Sequence, residues 1–164
     1  MASYHFKGLE EYERKIDQMY KDTEVICGRA TYEMAKIVAD QIKSNIEALP
    51  AVSDEEGLKA YNKKQMRDLT ESEKQGLIDG FGISPIENTN GYWNVKLGFD
   101  GYNRLKTKKY KKGQPNVMIA RSVESGSSVR KKTPFVRPAV SATRNKAIEK
   151  AKEVIDKDME ERFG

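Results

Sequence analysis

The chain has 164 residues, 37% apolar and 34% charged, with 30 Lys and Arg against 25 Asp and Glu and a net charge of +5. That is one domain's worth of chain with enough apolar residues for a core, and a charge that suits a nucleic-acid partner without requiring one. No apolar run approaches the roughly 18 residues that span a bilayer, the start reads as no secretory leader, and the lone Cys27 precludes an internal disulfide framework and fits a reducing compartment.

Phe6 and Gly8 lead into an amphipathic stretch with Leu9, Tyr12, Ile16, Met19 and Tyr20 at helical spacing. Asp22 is then expected to cap a second, longer helix, with Glu24 in its first turn, running to about Leu49 and stopped by Pro50. Its apolar stripe is Ile26, Ala30, Met34, Ile37, Val38, Ile42 and Ile46. Over residues 50–80, Ser53 with Glu56 and Thr70 with Glu73 form two capping-box patterns, each opening a short polar helix. This segment reads as a helical insertion or mobile arm outside the core.

Asn90-Gly91 is a strong two-residue hairpin turn. Trp93, Val95, Leu97 and Phe99 alternate after it, as in a half-buried strand packed on helices. Its partner is expected over Phe81 to Ile86, where Pro85 assigns it to a sheet edge. A basic loop at 101–114 follows, with Arg104, Lys106, Lys108, Lys109, Lys111 and Lys112 interleaved with Tyr102 and Tyr110. Pro115 opens a short helix carrying Val117, Met118, Ala120 and Val123, which Gly126 ends. Beyond a Ser/Gly/Lys loop at 125–133, Pro138 opens the last helix, with Val140, Ala147, Ile148, Ala151, Val154, Ile155, Met159 and Phe163 on one face. The fold class is therefore α+β, a single domain over 1–164. A small antiparallel sheet around Asn90-Gly91 packs against long N- and C-terminal helices.

Nucleophilic catalysis needs a nucleophile with a base beside it. The lone His5 and a Cys27 set in an apolar helical stretch do not supply that pair. Walker, HExxH, CxxC and EF-hand patterns are missing. The carboxylate pairs Glu10/Glu11, Glu55/Glu56 and Glu160/Glu161 read as solvated helix faces. The expectation is no enzyme, no cofactor and no metal. The run Arg104 to Lys112 either tracks a phosphate backbone or is a solvated loop, and the pattern contains no sequence-reading DNA motif.

The segment Ile119-Ala120-Arg121-Ser122-Val123-Glu124-Ser125-Gly126-Ser127-Ser128, followed by Thr133-Pro134-Phe135-Val136-Arg137-Pro138-Ala139-Val140, resembles the HK97 gp10-like family of tailed-phage morphogenesis proteins. So does the opening Gly8-Leu9-Glu10-Glu11-Tyr12 with its long helix ending near Ile42-Lys43-Ser44-Asn45. The resemblance covers roughly 6–48 and 91–163. Ser125 and Ser127 depart from its pattern. It implies a structural protein of the virion, present in the host cytoplasm during assembly. Such a protein completes the tail and joins it to the head as a homo-oligomeric ring between the head-side connector and the tail terminator or tube. The basic loop then has a place facing phage DNA. The structural motif is Glu124, Gly126, Pro134, Phe135, Arg137 and Pro138. The two prolines bracket Phe135, which anchors the turn, Arg137 is offered to Glu124, and Gly126 supplies a positive φ.

Overall fold

The computed structural model describes residues 9–163; His5, Phe6 and Gly8 lie outside the described residues. One helix, α1 (Leu9–Glu47), replaces the two expected N-terminal helices. Asp22 does not act as a cap, because no Gly or Pro interrupts the ladder there. The Thr23 hydroxyl instead donates back to the Met19 carbonyl at 2.8 Å, and the Asp22 carboxylate accepts from Arg162 at 2.7 Å.

The last helix, α5 (Val136–Phe163), runs antiparallel along α1. Three contacts fix its direction. Asn45 donates to the Phe135 carbonyl at 2.9 Å, Arg29 pairs with Asp158 at 2.7 Å, and Asp22 pairs with Arg162 at the far end. The helix opens at Val136 rather than Pro138, and its buried stripe is Ala139, Thr143, Ala147, Val154 and Asp158. Val140, Ile148, Ile155, Met159 and Phe163, expected on the buried face, are exposed. Small side chains let two helix backbones approach closely, so the seam passes through the alanines and turns the larger residues outward.

Residues 50–80 are helical as expected, yet they belong to the core. β1 (Ala51–Val52) pairs in parallel with β2 (Leu69–Thr70), with α2 (Asp54–Asn62) crossing between them. α3 (Glu71–Gly80) follows. Leu69 and Leu77 are buried in one cluster with Ile42, Ile46, Leu49, Ile119, Val123 and Phe135. The polar faces of α2 and α3 dominate their composition, while a single leucine from β2 and another from α3 anchor the segment.

The hairpin about Asn90-Gly91 forms, with φ of 54° and 83° at the two turn residues. It consists of two ladders rather than one. β3 (Phe81–Ile83) pairs with β6 (Leu97–Phe99), and β4 (Glu87–Thr89) with β5 (Tyr92–Asn94). Phe81 lies opposite Phe99 but Glu87 opposite Asn94, so the register slips by one across residues 84–86. Pro85 has no N–H to donate, and a bulge accommodates it. The inward residues meet the core as the alternation required. The Phe99 ring centroid lies 5.1 Å from Phe81 and 6.0 Å from Phe135, and the Trp93 ring packs over Gly28 of α1. α4 (Asn116–Ser125) completes the layer and ends at Gly126, φ 78°.

Candidate functional site

The six motif residues meet in one joint between α4 and α5. A helix leaves its first four backbone N–H groups without partners inside the helix. For α5 the Glu124 carboxylate takes three of them, from Phe135 at 2.7 Å, Val136 at 2.9 Å and Arg137 at 3.1 Å. The fourth position is Pro138, which has no N–H. Every orphan donor is thus accounted for. Burial pushes the Glu124 carboxyl up, but these backbone donors, helped by the Arg137 charge, bring it below its ordinary value. The expected Arg137 pair exists, at 3.7 Å with a largely exposed guanidinium, and is minor beside the three backbone bonds. Phe135 is buried, and Gly126 has its positive φ, with a side chain there meeting Lys132.

A second cluster was not anticipated. Glu73, fully buried, accepts two bonds from Arg67, both 2.7 Å, and two from Arg130, 2.8 and 3.1 Å. It also closes a capping box with Thr70, accepting from the Thr70 N–H at 3.1 Å. Burial drives this carboxyl upward, yet the hydrogen bonds and charges of the two guanidiniums hold it down at about 2. Only the Thr70/Glu73 spacing was visible in sequence. Arg130 sits in a Ser/Gly/Lys stretch, and nothing local ties it to residues 57 positions away. Both carboxylates are saturated with donors and stay ionised at neutral pH, so they hold structure rather than exchange protons.

The basic loop is anchored at its base and open at its tip. Asn103 and Leu105 are buried, and the Asn103 carboxamide oxygen accepts from the Leu105 N–H at 2.7 Å. Gly113, φ 94°, lies against the Asn103 carbonyl where no side chain fits. Arg104, Lys106, Lys108, Lys109, Lys111 and Lys112 are exposed. Three of them line two separate clefts. Arg104 lines a cleft of about 520 Å³ with Asp54, Glu71, Asp79 and Asp100. Lys108 and Lys109 line another of about 630 Å³ with Lys64, Tyr61, Ser128 and Val129. The first mixes one cation with four carboxylates; in the second the only charged side chains are the three lysines. Among the described residues no three His, Cys, Asp or Glu side chains are grouped to hold a metal ion.

The chain matches no family model, no curated protein and no solved structure.

Proposed function

We propose that the chain is a structural virion component of a tailed phage or prophage, completing the tail and joining it to the head through ring-forming contacts between copies. Its partners are the head-side connector and the tail terminator or tube, and it acts by contact rather than by catalysis. The observation that carries this reading is the α4–α5 joint. Glu124, Gly126, Phe135, Arg137 and Pro138, on which the likeness to the phage family rests, act together to fix one helix entry. The test is genetic and microscopic. Disrupting the gene in the phage that carries it is expected to leave filled heads and tails unjoined in micrographs, with joining restored by the gene in trans. Normal joined particles from the disrupted phage would sink the proposal.

A second reading, non-specific nucleic-acid binding, is favoured by one observation, the convergence of Lys64 with Lys108 and Lys109 on one cleft beside Tyr61. Lysines that neutralise phosphates release counterions, so binding falls steeply with salt. Anisotropy of a labelled duplex is expected to show binding at about 50 mM salt that weakens at least tenfold by about 200 mM. The Lys64→Glu/Lys108→Glu/Lys109→Glu variant is expected to abolish it. A salt-independent signal, or an unchanged variant, removes this reading.

A further inference from the structure

We propose that the apolar stripe on the first turns of α1 is an interface covered by a second copy of this chain. The α5 end is tied beside Asp22 of α1 by the Arg162 ion pair at 2.7 Å, so residues 9–20 of α1 continue for about 18 Å with no α5 opposite. Tyr12, Ile16, Met19 and Tyr20 on this projection are 51–66% exposed.

These residues are not scattered. Tyr12, Ile16 and Met19 continue with Thr23, Ile26 and Ala30 in alternating steps of four and three, the spacing of a coiled-coil seam. Where α5 lies alongside, Ile26 and Ala30 of that stripe are buried. The projection thus keeps the register of a seam the molecule already uses, past an exposed Thr23 and with no α5 alongside it among the described residues. Tyr12, Ile16, Met19 and Tyr20 offer on the order of 500 Å² of surface per protomer, enough for the centre of the ~800 Å² per partner that a stable interface buries.

The chemistry favours a copy over other occupants. Glu10, Glu11, Glu13 and Asp17 flank the stripe alongside Arg14, Lys15 and Lys21. A second copy brings both signs to meet both signs, whereas a nucleic acid meets four carboxylates. A stripe of this kind packs on itself about a two-fold axis, the commonest symmetry of soluble oligomers. This contact stands independently of the neck reading, which is judged on phage particles rather than on the isolated protein.

Sedimentation and light scattering of the full chain, from about 10 to about 200 μM, test the assignment. Self-association to at least twice the 18.7 kDa chain mass is expected. The Ile16→Glu/Met19→Glu variant is expected to be monomeric throughout, melting like the dissociated wild-type chain at low concentration because both side chains are exposed in the monomer. In a Cys27→Ser background, Ile16→Cys is expected to form an intermolecular disulfide on mild oxidation, while Val117→Cys, also exposed, on α4, is not. A wild-type monomer at the highest concentration overturns the assignment. So do oligomers that persist in the double variant, or equal cross-linking at positions 16 and 117.

Discussion

Glu73 is the side chain on which most buried charge depends. Two guanidiniums share its carboxylate, and the Arg67 and Arg130 side chains are themselves 7% and 5% exposed. Neutralising the central acid leaves two cations out of water with no counter-charge, a loss that typically costs about 3–5 kcal/mol. Glu73→Gln is therefore expected to lower the urea midpoint severely. Replacing all three by apolar residues of similar volume is expected to cost far less, because no orphaned charge remains. Equal loss in both variants would show that the cluster contributes packing rather than charge balance. Glu124 predicts a milder effect. Glu124→Ala strips three backbone donors of their acceptor and is expected to cost about 1–3 kcal/mol. Hydrogen exchange should rise first in the opening turn of α5, and Glu124→Gln, which keeps one acceptor oxygen, should recover part of the protection. The motif reading offered Glu124 as a partner for Arg137, and that pair forms at 3.7 Å, but the three backbone donors lay outside it. Side-chain charge is written in the sequence, whereas the backbone N–H groups of a helix start have no letter of their own.

The helices show where periodicity informs and where it misleads. The length of α1 beyond Asp22, the hairpin turn at Asn90-Gly91 and the inward alternation through Leu97 and Phe99 were legible, because each is a local rule acting on contiguous residues. The expected break at Asp22 was not real: an Asp is equally at home in a helix interior when a distant Arg162 neutralises it. On α5 the expected face held in Ala147 and Val154, which are buried, but not in Val140, Ile148, Ile155, Met159 and Phe163, which are exposed, since small residues such as Ala139 and Ala147 carry little hydrophobic weight yet permit the close approach of α1. That same closeness yields a prediction. Ala147→Leu inserts volume into a seam with no room for it and is expected to destabilise by about 1–3 kcal/mol. Ile148→Ala, one position along and exposed, is expected to change thermal stability little in dilute solution. The reverse order in a thermal melt would place the seam on the other stripe.

Charge balance across the fold sets its response to acid. Three carboxylates, Asp54, Glu73 and Glu124, lie below their ordinary values although burial acts to raise each of them. The Ser72 hydroxyl and N–H do this for Asp54, two guanidiniums for Glu73 and three backbone N–H groups for Glu124. A carboxyl held down in the folded state binds its proton more readily once unfolded. Its contribution is therefore complete above the ordinary range and is lost as pH falls toward the folded value. For Glu73 that window runs from 4.5 to about 2, and the contribution is on the order of 3 kcal/mol. The direction is reinforced by the net charge. A chain already at +5 gains further positive charge as its acids protonate, and self-repulsion grows. Urea midpoints are thus expected to hold nearly level from pH 7 to 5 and to fall steeply between about pH 4.5 and 2. In Glu73→Gln the starting midpoint is lower, but the acid slope is shallower by the share of Glu73. A variant as steep as wild type would place the acid sensitivity on Asp54, Glu124 and the surface carboxylates instead.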